Sequence, residues 1–213
     1  MAENTEAFCR ALAIYIHRQL GVRVQYVDGI PWQERERLFD QGEIQLLRLC
    51  GLPYVDKADS RARHMELLAV PVPLGSRYQK LPIYFSDVVV RRESHFDSFD
   101  SLRGSVWAYN EPRSHSGFNV VRAYLEAQGQ NEGFFRRVVA SGAHSASLQL
   151  ILNGGANAAA IDSTVLEWLV AQRPDLSDEI RVIATLGPSP IPPWVISKSV
   201  PENFRIALRE LFL

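Results

Sequence analysis

Apolar residues recur at helical spacing near the start of the chain, at Phe8, Leu12, Tyr15, Ile16 and Leu20, with Asn4 or Thr5 placed to cap the segment and Gly21 to end it. Val22, Val24 and Tyr26 then alternate with polar neighbours, which predicts a half-buried strand. Residues 32–39 return to helical spacing. Segments 44–50 and 67–72 are apolar enough for buried strands, and the charged stretch 56–64 between them reads as a loop or short helix. Further strands are predicted at 83–90, 105–109, 137–140, 158–161, 180–184 and 194–197. Helices are predicted after Ser114, over 145–152 with Gly154 and Gly155 as a stop, over 163–172, and from Pro201 to the end, where proline suits a first turn. This alternation predicts an α/β fold whose sheets are mostly parallel and covered on both faces. The run GPSPIPPW (187–194) is a stiff, extended connection.

Composition narrows the function classes. The 213 residues are 46% hydrophobic, enough for a substantial core in one large domain or two lobes. Lys and Arg total 23 against 24 Asp and Glu, a net charge of -1, so nothing global attracts nucleic acid or an anionic membrane. No uncharged apolar run reaches the roughly 20 residues that span a bilayer. The opening AENTEAFCRALAIYIHRQLG lacks a basic stretch, an unbroken apolar segment and a small-residue cleavage site, so no export signal is predicted. Cys9 and Cys50 match neither metal spacing nor a redox pair; buried free thiols are the expectation, with one disulfide as the alternative. No nucleophile elbow, metal cluster or glycine loop with a lysine is present, so no cofactor and no metal are predicted.

The chemistry gathers where strands pass into helices. The stretch YNEPRSHSGFNVVRAYL (109–125) reads as a strand end, a polar loop and a helix, with Ser114, His115, Ser116 and Gly117 at the helix start. A first helical turn carries unpaired N–H groups and partial positive charge, so hydroxyls and an imidazole there suit a small anion; an ordinary serine N-cap explains the same spacing. Residues 140–147 and 160–164 make the same kind of junction and bring His144, Ser145 and Asp162. In a parallel sheet all three junctions lie along one carboxyl-end edge, where open α/β sheets bind ligands. Taken singly, His144 also fits a structural histidine and Asp162 a helix cap. An acid beside an anion costs about 4 kcal/mol at 4 Å and an effective dielectric near 20, unless the ligand keeps a proton that the carboxylate can accept.

On these residues the sequence resembles the PhnD-like phosphate, phosphite and phosphonate substrate-binding proteins of ABC transporters, a branch of the type 2 periplasmic binding fold. YFSDVVVRRESHFDSFDSLRGSVWAYNEPRSHSG (84–117), SGAHSASLQLILNGGANAAAIDS (141–163) and PSPIPPWVIS (188–197) carry the resemblance. It implies a two-lobed protein, lobe one at 1–88 and 188–213 and lobe two at 89–187, closing by a hinge on a small phosphorus oxyanion between them. Ser114, His115 and Ser116 fall on the family's Ser-Thr-Ser loop, His144 on its pocket histidine, and Tyr54 near an aromatic of the pocket wall, with Tyr84 and Trp32 as further wall candidates. His115 departs from the family's hydroxyl residue. Thr164 and the 186–187 region stand where aminoalkylphosphonate binders carry carboxylates, so an amine-free ligand is expected. The resemblance also implies an ABC permease as partner and a periplasmic location, whereas a chain starting at Met1 without an export signal would be cytoplasmic. Two other classes stay open: an enzyme on the same fold, akin to some menaquinone-pathway proteins, with His144 or Asp162 as acid or base, and a cytoplasmic ligand sensor.

Overall fold

The computed structural model describes residues 3–60, 64–130 and 133–212, divided into two units: Glu3–Val72 with Ile191–Leu213, and Pro73–Pro190. The sequence reading put the crossings at 88/89 and 187/188. The observed crossings fall earlier and later because the strand over 83–91 is bonded along its length to two strands of the second unit.

The first unit contains α1 (Glu6–Leu20), α2 (Trp32–Asp40), β1 (Leu46–Arg48), α3 (Gly51–Ala58), β2 (Met65–Ala69), β8 (Trp194–Ser197) and α8 (Glu202–Leu211). Gly21 ends α1 with φ 65, a left-handed turn that costs glycine little, and its N–H donates to the carbonyl of His17. The expected cap at Asn4 or Thr5 makes no side-chain bond to the helix start at Thr5. The sheet has the order β1-β8-β2, and β8 runs antiparallel to both neighbours. Parallel pairing was expected, but β8 arrives after the long excursion through the second unit, so no strand-helix-strand crossover sets its direction. Trp194 and Ile196 face Cys9, Ile16 and Leu208 on one side of the sheet, while Val195 faces Phe39, Leu47 and Met65 on the other. Neither cysteine forms a disulfide; Cys9 is buried as expected, but Cys50 is exposed at the start of α3. Residues 22–26 form no strand and join no ladder.

The second unit contains β3 (Ile83–Arg91), β4 (Val106–Tyr109), α4 (Val120–Ala127), β5 (Arg137–Ala140), α5 (His144–Leu152), β6 (Ala158–Asp162), α6 (Ser163–Gln172), α7 (Leu176–Glu179) and β7 (Ile180–Pro190). Its sheet has the order β5-β4-β6-β3-β7. The pairs β4–β5 and β4–β6 are parallel, whereas β3 is antiparallel to both β6 and β7. Side chains alternate as the pleat requires. Val88, Val90, Trp107, Ala158 and Ala160 join the Phe99, Leu102 and Phe134 core on one face, and Val89, Ala108, Ala159 and Ile161 join Leu148, Ile151 and Val165 on the other. Burial on both faces explains why β6 reads as an unbroken apolar run.

A polar brace ties β3 to α6. Asp87, 2% exposed, takes a bidentate pair from Arg77 at 2.8 and 2.9 Å and a bond from the Thr185 hydroxyl at 2.8 Å. Tyr78 donates to Glu167 at 2.8 Å, and the Ser163 hydroxyl accepts the N–H of Phe85 at 3.0 Å. These bonds hold the first residue of α6 against β3, beside the edge where polar residues collect.

Candidate functional site

Because β4, β5 and β6 run parallel, their carboxyl ends share one edge of the sheet. From Tyr109 the chain passes through residues 110–114 into a wide helical turn, His115–Asn119, that continues as α4. That turn packs against β6 and β3. Ser114 caps it: its hydroxyl accepts the N–H of Gly117 at 3.2 Å, and its carbonyl accepts the backbone N–H of Asn119 at 3.0 Å. The first internal bond therefore spans five residues, one more than in an α-helix. Among the described residues, the N–H groups of His115, Ser116 and Phe118 reach no acceptor. Ser114 and Ser116 are 3% and 5% exposed.

His144, the first residue of α5, comes to the same place. Its Nε2 lies 3.0 Å from the Ser116 hydroxyl and 3.4 Å from the amide nitrogen of Asn110, the second contact being long for a hydrogen bond. The Asn110 amide also lies over Gly117. A Cβ at residue 117 would stand 2.1 Å from Asn110 Oδ1 and 3.3 Å from His144 Cε1, so glycine is required there for space. Asn110 Oδ1 itself is buried with no hydrogen-bond partner. Ser141, at the start of the neighbouring loop, spends its hydroxyl on the carbonyls of Tyr109 and Ala143 and on Ser147, which holds the α5 entrance rigid.

His115 points elsewhere than a simple reading of three adjacent site residues implies. Its Nε2 meets the hydroxyl of buried Ser189 at 2.9 Å, and its ring lies 6.4 Å from that of Tyr84. Burial pushes the pKa of His115 down, which favours the neutral ring. Asp162 caps α6: Oδ1 accepts the Thr164 N–H at 2.8 Å and its hydroxyl at 2.7 Å, while Oδ2 makes no hydrogen bond among the described residues. On the pairing register Asp162 faces Ser86, whose hydroxyl is buried without a partner. Tyr54 and Trp32 belong to the first unit, Tyr54 half-buried beside Phe39 and Leu47.

Ser114, Ser116, Gly117 and His144 are thus brought together as the sequence suggested, whereas His115 turns to Ser189, and Asp162 sits at the neighbouring strand end. Asn110 and Ser189 were missed. The signal for Asn110 was its place directly after a strand in the same junction. No sequence signal could have paired Ser189 with a histidine 74 residues away. Chemically the corner offers donors: three backbone N–H groups, two hydroxyls and an imidazole, against the single carboxylate of Asp162. No group of His, Cys, Asp and Glu able to hold a metal ion occurs among the described residues.

The family model for periplasmic substrate-binding proteins of phosphonate ABC transporters matches residues 2–213. The chain belongs to this family. Solved structures agree on the fold. A binding-protein component of an ABC phosphonate transporter from Pseudomonas aeruginosa superposes with a TM-score of 0.85 at 17% identity, over 100% of this chain and 70% of that one. PhnD1 from Prochlorococcus marinus, in complex with methylphosphonate, gives 0.83 at 16% identity, over 99% and 79%. A Xanthomonas citri protein bound to ATP gives 0.70 at 15%, over 98% and 78%. The fold is the type 2 periplasmic-binding-protein fold, and the chain is a solute-binding protein of ABC transport. The phosphonate-binding family is periplasmic, and among the described residues no helix is long and apolar enough to cross a membrane.

Proposed function

We propose that the turn at Ser114 to Gly117 holds one small, amine-free phosphorus oxyanion of the phosphonate, phosphite or phosphate class, for delivery to an ABC permease without chemical change. The observation that carries this reading is the set of unbonded N–H groups at His115, Ser116 and Phe118, on a turn that also presents two hydroxyls and faces His144. Ser114 uses an oxygen lone pair for its cap and keeps its proton, so it can donate to a ligand while still capping. Ser116 does the same whenever His144 carries the Nε2 proton, since the imidazole is then the donor between them. Donors fixed by the fold bind a tetrahedral anion with little reorganisation, and the N-terminal end of a helix adds favourable potential.

Asp162 completes the reading. With Oδ1 occupied by Thr164, Oδ2 accepts from the protonated oxygen of a monoanion, and a fully ionised ligand is disfavoured by repulsion. The methylphosphonate held by PhnD1 of Prochlorococcus marinus is of the proposed class. Thr164, where aminoalkylphosphonate binders are expected to carry a carboxylate, supports a ligand without an amine.

A thermal-shift series with phosphate, phosphite, methylphosphonate, sulfate and 2-aminoethylphosphonate tests the proposal. A ligand at 100 times its dissociation constant adds about 2.7 kcal/mol, a rise of roughly 5–10 °C for a chain of this size. At least one phosphorus oxyanion should produce that rise, and the aminated compound should produce little. The double variant Ser114→Ala/Ser116→Ala should lose it; an undiminished shift in that variant rejects the site.

A further inference from the structure

The amide of Asn110 stands between the turn and His144 with both ends poorly matched to what they face. Oδ1 lies over Gly117 and is buried with no hydrogen-bond partner among the described residues, whereas Nδ2 approaches Nε2 of His144 at 3.4 Å, long for a hydrogen bond. A buried acceptor without a partner carries the cost of a lost hydrogen bond, so this placement needs a compensating attraction. The turn supplies one. The unbonded N–H groups of His115, Ser116 and Phe118 give its start a partial positive charge, and the oxygen end of an amide dipole is the end drawn to it. Oδ1 thus answers the same partial charge that a ligand oxygen would.

The other end of the amide acts on the histidine. A neutral imidazole has one ring nitrogen that donates and one that accepts. With an NH2 group facing it, Nε2 is the accepting nitrogen, and the Ser116 hydroxyl, 3.0 Å away, gives its proton's bond to the same lone pair. Ser116 then presents only lone pairs to what lies in front of it, the wrong sign for an anion. Rotating the amide end for end exchanges oxygen and nitrogen with little change of shape. Oδ1 then accepts from a protonated Nε2, Ser116 accepts from the same N–H and keeps its own proton for the ligand, and Nδ2 stands over Gly117 as a further donor. Gly117 leaves room for either end, since a Cβ there would stand 2.1 Å from the present oxygen. An anion on the turn favours the second arrangement and repels the first.

We propose that Asn110 is a positioning residue of the oxyanion site: its amide rotates when a phosphorus oxyanion binds and holds the proton of His144 on Nε2, so that Ser116 donates. The ring stays neutral, losing a proton at Nδ1 and gaining one at Nε2 by exchange with water. This role rests on the oxyanion reading above and adds to it the group that decides which way the Ser116 hydroxyl points.

Calorimetry and nitrogen NMR on the full chain, with methylphosphonate as probe, separate the role from the site. Without probe, Nε2 of His144 should resonate as an unprotonated ring nitrogen, and at saturation it should move to the range of a protonated one. The Overhauser effect from the Asn110 side-chain amide protons to the α-protons of Gly117 should strengthen in step. Asn110→Ala should bind about tenfold more weakly, having lost one hydrogen bond to a charged group. Asn110→Asp has no donor and always offers an acceptor, so it should carry the Nε2 proton without probe and bind more weakly still. If either variant fails to fold, the wild-type signals decide by themselves. Binding that leaves the Nε2 signal unchanged, or an amide already turned to Gly117 without probe, overturns the role of Asn110 and leaves the oxyanion site standing. Undiminished affinity in both variants does the same. No binding of methylphosphonate, phosphite or phosphate rejects the site, and the role with it.

Discussion

Nε2 of His144 stands 3.0 Å from the hydroxyl of Ser116, joining the first residue of α5 to the turn before α4 across 28 residues of sequence. The bond makes one histidine responsible for the direction of a buried hydroxyl, and so for whether that hydroxyl offers its proton or its lone pair to what lies in front of it.

Replacing that histidine should separate two effects. His144→Ala leaves the Ser116 hydroxyl buried without this partner, at a cost of about 1–2 kcal/mol in urea unfolding. The same variant should weaken oxyanion binding in calorimetry. His144→Gln, which keeps an N–H donor, should recover most of the stability and part of the affinity; equal behaviour of the two variants would show that the bond does not orient Ser116.

Gly117→Ala places a methyl group 2.1 Å from Asn110 Oδ1. Overpacking of this kind costs about 1–3 kcal/mol. Since the obstacle is a side chain, Asn110→Ala in the same molecule should return much of the loss. A double variant no more stable than Gly117→Ala would place the strain in the backbone instead.

Acid should weaken the fold through His115. Burial holds its folded pKa below the ordinary 6.5, so between the two values the unfolded chain binds more protons than the folded one. Stability from this group is complete above the unfolded value and falls as pH drops through the window beneath it. Melting midpoints measured from pH 7.5 down to 5 should decline, and His115→Gln should remove part of that decline. A variant with an unchanged slope would exclude His115 as the source.

The brace between β3 and α6 makes a stability prediction. Arg77→Leu leaves the carboxylate of Asp87, 2% exposed, with only the Thr185 hydroxyl, and should cost about 3 kcal/mol in denaturant unfolding, near the low end for buried pairs because the guanidinium is 35% exposed. The double variant Arg77→Leu/Asp87→Leu should recover most of this, since the penalty arises from the stranded charge. A double variant as unstable as the single one would point to lost packing.

The candidate site was legible where chemistry is local. Ser114 and Asp162 both sit at the residue before a helix and both cap it, and their residue types and spacing announce that role. Gly117 was singled out for its position after two serines; that it yields space to Asn110 needed coordinates. His115 looked equivalent to its neighbours, but successive residues on a turn point in different directions, and its ring goes to Ser189. The strand expected at residues 22–26 has the right alternation and burial and still lacks partners, because period-two patterning reports which side chains face the core and says nothing of whether a neighbouring edge exists.

From the amino-acid order alone came the alternation of strands and helices, the strand-to-helix junctions that carry polar residues, and the likeness to phosphonate-binding proteins. The first two are properties of short stretches, set by spacing, capping and turn chemistry that act within a few residues; the third is a resemblance carried by the motifs at 84–117, 141–163 and 188–197. Tertiary structure alone decided that β8 runs antiparallel to β1 and β2, that β3 belongs wholly to the second unit, and that Asn110, Ser116 and His144 meet around Gly117. Those outcomes depend on which distant segments share hydrogen bonds and volume, and the free energy that selects among them is gained only when the whole core closes.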